Sequence, residues 1–166
     1  INQGTVTVNH NVIGDNSAVG SGGWLVADGG NVTISHHQIP NNPAGAAENQ
    51  PSGGGIYIQQ GGITIINHTV SEHRASHGAG IRFYRGSGSV KYNLLTQNSG
   101  NYTIYTDIAN ISLNGNTIDK NQTTYDLYAD FGSSQTLDAK NNDWGTQYLS
   151  LVRSRIYDND ENNSKG

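Results

Sequence analysis

Residues 116–121 read NTIDKN, an isoleucine with two polar residues before it and three after it, and asparagine closing both ends. The same frame recurs as NVIGDN at 11–16, HQIPNN at 37–42 and HTVSEH at 68–73. Taking the aliphatic residue as an anchor gives Ile13, Ile39, Val70, Leu95 and Ile118, separated by 26, 31, 25 and 23 residues. The residue two places before each anchor is Asn11, His37, His68, Asn93 or Asn116. The residue three places after is Asn16, Asn42, His73, Asn98 or Asn121. All ten positions are Asn or His, in a chain where those types together fill 27 of 166 places. A recurrence with a period of this length marks a repeat architecture.

Each anchor is preceded by a short alternating triplet: VTV at 6–8, VTI at 32–34, ITI at 63–65, VKY at 90–92 and ISL at 111–113. The middle residues are Thr7, Thr33, Thr64, Lys91 and Ser112, all polar, so each triplet reads as a half-buried strand. A second strand follows each anchor, at 22–28, 54–59, 79–84, 101–106 and 125–130. Its expected inward residues are Trp24 and Val26, Ile56 and Ile58, Ile81 and Phe83, Ile104, then Leu127 and Ala129. Ile81, Ile104 and Leu127 are spaced by 23 residues each time.

One repeat is therefore strand, corner, short strand, corner, strand, loop. A coil of this kind buries its apolar face only by stacking on its neighbours. The expected fold is all-β: a right-handed parallel β-helix, or solenoid, of about six coils closed by a short C-terminal capping helix. The whole chain forms one domain, with coils at about 1–29, 30–60, 61–87, 88–108, 109–134 and 135–145 and a cap at 146–166. Six coils span roughly 29 Å at the ordinary inter-strand spacing. The competing antiparallel sandwich needs tight hairpin turns. Gly29 with Gly30 and Gly61 with Gly62 could supply them, in two repeats only.

The formal net charge is −4 and the nine Lys and Arg are scattered, so a nucleic-acid partner is not expected. No apolar run approaches the length of a membrane span. Cysteine is absent, which excludes disulfides and thiolate chemistry. The chain starts at Ile1 without Met, which reads as a processed chain or an excised piece of a longer one.

The repeat resembles that of right-handed parallel β-helix proteins, the pectate-lyase-like superfamily. The resemblance covers nearly the whole chain and is most specific at NNDWGT, 141–146, and IYDNDENNSKG, 156–166. These look like the Asn-Asn-x-Trp-Gly closing segment of secreted and surface β-helix domains, in which a short helix, an Ile-Tyr-Asp stretch and a final strand follow. The resemblance implies an extracellular or cell-surface protein. In physical terms Trp144 is a large cover for the apolar end of a solenoid, and Gly145 permits a sharp departure. Leu149, Val152 and Ile156 fall on one helical face within 146–158, the expected capping helix.

Candidate chemistry is sparse. The Asn and His columns suit structural ladders, because equivalent positions stack coil upon coil and an amide both donates and accepts. A metal cluster among His10, His36, His37, His68 and His73 is the functional alternative, and no metal is expected. The superfamily includes polysaccharide lyases and hydrolases, but none of the polygalacturonase motifs stands intact; SHGAG at 76–80 matches Gly-His-Gly only in part. The best catalytic constellation is Asp126 and Asp130 on one strand with Arg82 and Arg85 one coil away. DNDENN at 158–163 has the composition of a Ca²⁺ loop without EF-hand spacing. Tyr57, Tyr84, Tyr105 and Tyr128 are expected to align one per coil as a carbohydrate-binding face. Five glycosylation sequons begin at Asn31, Asn67, Asn101, Asn110 and Asn162; a sixth, at Asn121, belongs to a ladder. The loop 41–55 carries two of the three prolines, Pro43 and Pro51, and is the most irregular stretch.

The expected function is a non-catalytic extracellular β-helix module, structural, adhesin-like or filament-forming, with self-association through the coil ends. The alternatives are a polysaccharide lyase or hydrolase, and a carbohydrate-binding β-helix without turnover.

Overall fold

The computed structural model describes residues 4–18, 22–42, 53–107, 109–130 and 137–158. The expectations that fall on Asn162, on most of the loop 41–55, on the start of the sixth coil and on nearly all of DNDENN lie outside those residues.

In chain order the elements are β1 (Thr5–Asn9), β2 (Leu25–Ser35), β3 (Gln38–Pro40), β4 (Ile56–Ile66), β5 (Thr69–Ser71), β6 (Arg74–Ala75), β7 (Ile81–Tyr84) and β8 (Gly86–Lys91). There follow β9 (Leu94–Thr96), β10 (Ser99–Asp107), β11 (Asn110–Asn114), β12 (Thr117–Asp119), β13 (Gln122–Asp130), β14 (Leu137–Asp138), α1 (Leu149–Ser154) and β15 (Ile156–Asp158). Every pairing among them is parallel. The chain is a parallel β-solenoid of about five turns with one short helix near its C-terminus.

Three stacks make up its walls. The short strands β3, β5, β9 and β12 form one, and they carry the anchor residues. The triplets form the second, through β1, the end of β2, the end of β4, β8, β11 and β14. The third runs through the start of β2, the start of β4, β7, β10, β13 and β15. The core fills the space between, as columns of like residues. Ile39, Val70, Leu95 and Ile118 are fully buried in one. In another, Ile56, Ile81, Ile104 and Leu127 stack in register, also fully buried.

The corners explain the frame that opens the sequence. The residue before each ladder position adopts a left-handed backbone. At one corner these are His10, His36, Asn67, Tyr92, Gly115 and Asn141; at the other they are Asp15, Asn41, Glu72, Gln97 and Lys120. A single left-handed residue turns the chain sharply and leaves main-chain N–H groups that need acceptors. The ladder side chains supply them.

Several expectations are corrected. In the first coil Leu25 and Ala27, not Trp24 and Val26, pair with the inward Ile56 and Ile58, and Val26 is 37% exposed. In the fourth, Gly88 and Val90 face inward, and Tyr92 is at the corner, 60% exposed. Gly88 takes a place held by Ile63 and Ile111 because the Phe83 ring occupies that volume: a Cβ on Gly88 would lie 2.6 Å from Phe83 Cε1. The sixth coil is represented by β14 and by an isolated bridge from Thr117 to Asp143. The cap is shorter than expected. Its helix spans six residues, Leu149 is 62% exposed, and Ile156 belongs to a strand paired with β13.

Candidate functional site

Two ladders run along the corners. In the first, the main-chain N–H of Asn11, His37, His68, Asn93 and Asn116 donates in turn to the side chain of His37, His68, Asn93, Asn116 and Asn142, at 2.8–3.2 Å. In the second, the N–H of Asn16, Asn42, His73 and Asn98 donates to Asn42, His73, Asn98 and Asn121 at 2.9–3.1 Å. The amide Nδ2 of the asparagines also donates to a carbonyl of the preceding coil, as Asn98 does to Val70 and Asn121 to Leu95. Nearly all of these side chains are buried from His37 onward. Asn142 is the member that sequence spacing did not reveal, although it stands 26 residues after Asn116 in the sequence.

The candidate site lies on the outer surface of the third wall. One outward column runs Val26, Tyr57, Arg82, Tyr105, Tyr128 and Tyr157, in strict register. A second runs Tyr84, Asp107 and Asp130, and a third pairs Tyr102 with Tyr125. The expected tyrosine column is therefore corrected at one position. Tyr84 stands two residues further along its strand, and Arg82 takes the central place.

Arg82 is held between aromatic faces, its guanidinium carbon 5.5 Å from the Tyr57 ring centre and 5.2 Å from that of Tyr105. A cation over a π face is stabilised by the ring quadrupole. Arg82 Nη2 also approaches Asp107 Oδ2 at 4.0 Å, and Arg85 lies 4.9 Å from the centre of Tyr84. Beyond Arg82 the tyrosines stack. Tyr105 and Tyr128 are 5.4 Å apart and 20° from parallel; Tyr128 and Tyr157 are 4.4 Å apart and 8° from parallel. Tyr102 packs beside them, and so does His77 of the SHGAG stretch, 5.1 Å from Tyr105. Tyr102, Tyr125 and Tyr157 are members of this cluster that the sequence did not single out, and His77 joins it from a stretch read there only as a partial Gly-His-Gly match.

Burial raises the Tyr105 and Tyr128 hydroxyls to about 12. It also raises Asp107, which the neighbouring Asp130 carboxylate pushes further while Arg82 pulls it down. The His77 imidazole is lowered, first by burial and then by Arg82. Groups with displaced protonation thus cluster on this face, a common property of functional surfaces.

Asp126 and Asp130 do not converge. Asp126 is 1% exposed and is gripped by Arg155, whose Nε and Nη2 donate to its two oxygens at 2.6 and 2.9 Å. Arg155 Nη2 also reaches the Asn121 carbonyl at 3.3 Å. Burial nonetheless raises Asp126 above the usual carboxylate value, against the pull of Arg155. Asp130 is exposed at the rim of the tyrosine face. Among the described residues no group of three or more His, Asp and Glu is placed to hold a metal ion. No helix among them is long and apolar enough to cross a membrane.

The other sequence-derived sites fall as follows. Trp144 packs against the core, and Gly145 turns with φ 68° above Asp119. Asn31, Asn67, Asn101 and Asn110 are exposed, and Asn121 is 7% exposed. The second wall carries a shallow trough of about 600 Å³ lined by small polar residues, Thr33, Thr64, Ser89 and Ser112 among them. Comparison with family models, with curated proteins and with solved structures finds no match to this chain.

Proposed function

We propose that the chain is a non-catalytic β-solenoid module of an extracellular or cell-surface protein. The observation that carries this reading is the way the reactive side chains are spent. Asp126 is used to hold Arg155, and Arg82 and Arg85 are used against tyrosine rings. The ladder histidines are used to accept main-chain N–H groups. A carboxylate in a bidentate ion pair is a poor proton acceptor for a substrate. The likeness of the closing segment to that of pectate-lyase-like β-helix proteins supports the location. Incubation with a broad panel of neutral and acidic polysaccharides, with and without Ca²⁺, tests it. No product release is expected, and turnover abolished by Asp126→Asn or Arg82→Ala overturns it.

Self-association is the sharper form of this reading. Strand β1 pairs only with β2 among the described residues, and such an edge is a template for another strand. Negative-stain microscopy at rising concentration should show end-to-end rods; isolated monomers throughout end that part of the proposal.

A second reading rests on the tyrosine face, as a binding surface for neutral saccharides. Stacked rings turn their faces to one another, so the column offers ring edges and hydroxyls rather than a flat platform. Those hydroxyls border Asp107, Asp130, Arg82 and Arg85, a mixed rim suited to hydrogen bonds with sugar hydroxyls. Tyr128→Phe removes a hydroxyl and keeps the stack. Loss of glycan-array binding at unchanged melting temperature supports this surface; unchanged binding excludes Tyr128 from it.

A further inference from the structure

Three ladder positions, His37, His68 and His73, hold histidine where the later coils hold asparagine. Each ring accepts a main-chain N–H through Nδ1: from Asn11 at 2.9 Å, from His37 at 3.2 Å and from Asn42 at 2.9 Å. In the later coils the equivalent N–H groups of His68, Asn93, His73 and Asn98 go to an amide Oδ1. The difference is chemical. An amide oxygen accepts at any ordinary pH, whereas an imidazole nitrogen accepts only while it carries no proton.

The tautomer follows from these contacts. Nδ1 must be bare, so the single ring proton sits on Nε2, and His37 Nε2 accordingly faces the Val8 carbonyl at 2.9 Å. A second proton would go to Nδ1 and set a donor against a donor. At His73 the Asn42 carbonyl is also 3.2 Å from Nδ1, but bonding to it would leave the Asn42 N–H facing a protonated nitrogen. The surroundings offer little to compensate a positive charge. His37, His68 and His73 are 1%, 2% and 0% exposed. The titratable groups that bear on His68 are His37, stacked at 5.1 Å, and His36, and both oppose a charge there. The Trp24 ring tilts over His37 and His68 at 5.5 and 6.3 Å. Around His73 the groups that bear on it are the backbone of Asn42 and Ile39, with Asn98 accepting its N–H.

We propose that the N-terminal coils form an acid-sensitive segment, in which protonation of His68 and His73 breaks the corner ladders while the asparagine-laddered coils stay closed. Burial lowers His68 and His73 to about 4, so in the folded chain they resist protonation that the unfolded chain accepts near 6.5. Mild acid therefore favours opening, by about tenfold per histidine for each pH unit below that value. Opening is local because each coil contacts only its neighbours.

Hydrogen–deuterium exchange, corrected for the intrinsic pH dependence of amide exchange, tests this at pH 7.5, 6.0 and 5.0. In the wild-type chain, protection over residues 5–42 should fall by about fiftyfold between pH 6.0 and 5.0, as His68 and His73 each contribute somewhat less than tenfold. Protection over residues 93–130 should hold. The triple variant His37→Asn, His68→Asn, His73→Asn should lose this difference. Uniform loss of protection along the wild-type chain overturns the proposal, and so does a triple variant that keeps the acid response. Should the triple variant not fold, the ring-proton NMR signals of the wild-type histidines decide. His68 and His73 rings that stay untitrated until the folded signals disappear support the proposal; either of these two rings titrating near pH 6.5 within an intact fold overturns it.

Discussion

The first coils and the last coils are built on one backbone plan and held by different chemistry. At the N-terminal end the ladders pass through three imidazoles, and β1 is half-exposed along its length. At the C-terminal end the ladders are all amide, a tyrosine stack runs up the outer wall, and Arg155 ties the closing segment to Asp126. A repeat fold thus does not imply uniform stability. It fixes where an acceptor is needed and leaves open which side chain provides it, and that choice sets how each region answers to pH and to load.

The largest expected effect of a single substitution is at the C-terminal end. Arg155→Ala leaves the Asp126 carboxylate buried without its cation, at a cost of about 3 kcal/mol. Denaturant unfolding at neutral pH should show this loss, and Arg155→Lys should recover part of it. A wild-type midpoint for Arg155→Ala would mean that the closing segment adds nothing to the asymmetry.

Acid should act next, and from the other end. The two histidines with lowered pKa contribute fully above pH 6.5, and that contribution is lost as pH falls from 6.5 through about 4. For a shift of this size the loss is on the order of 3 kcal/mol per histidine. Thermal melts between pH 7 and pH 4 should therefore steepen for the wild type and flatten for His68→Asn with His73→Asn.

Asparagine removal ranks third. Asn98→Ala and Asn121→Ala each strand a main-chain N–H and a carbonyl in a buried corner, at about 1–3 kcal/mol. Both should keep whatever binding the outer face has, since the ladders lie at the corners. A melting curve unchanged from wild type at either position would remove the ladder from the account of stability.

The smallest expected effects are in the tyrosine column, where Tyr128→Leu takes one ring from a stack that holds it on both sides. Aromatic pairs add about 0.5–1.5 kcal/mol beyond their buried area, so a loss of about 1–2 kcal/mol should appear in denaturant melts. Tyr57→Leu, at the other end of the column, should cost less, since its ring faces a cation on one side.

The ladders were legible because every coil makes the same demand at the same place, so ten positions repeat one chemistry. The walls were legible wherever an apolar column recurs without interruption, as in Ile81, Ile104 and Leu127. They were misread where one residue breaks the alternation. Trp24 is large and apolar and suggested an inward position, yet it packs at the margin beside His37, and a slip of one residue exchanges the two faces of a strand. Gly88 left no apolar mark, because the volume it faces belongs to Phe83. The left-handed corners were invisible for a similar reason. Glu72, Gln97, Tyr92 and Lys120 carry no signature of that backbone, which the solenoid imposes on them. The outer columns could not be aligned until register was known, which is how Tyr84 and Arg82 exchanged places.

The main-chain bonds between coils have a mechanical meaning. In a parallel solenoid those bonds point along the long axis, and each wall adds its share at every coil boundary. Tension applied along the axis is carried by one boundary after another, so the weakest one yields first and the rest are spared. Tension applied across the axis is spread over all the coils at once. A molecule built this way gives way at one coil boundary when pulled lengthwise and shares the load among all its coils when pulled sideways.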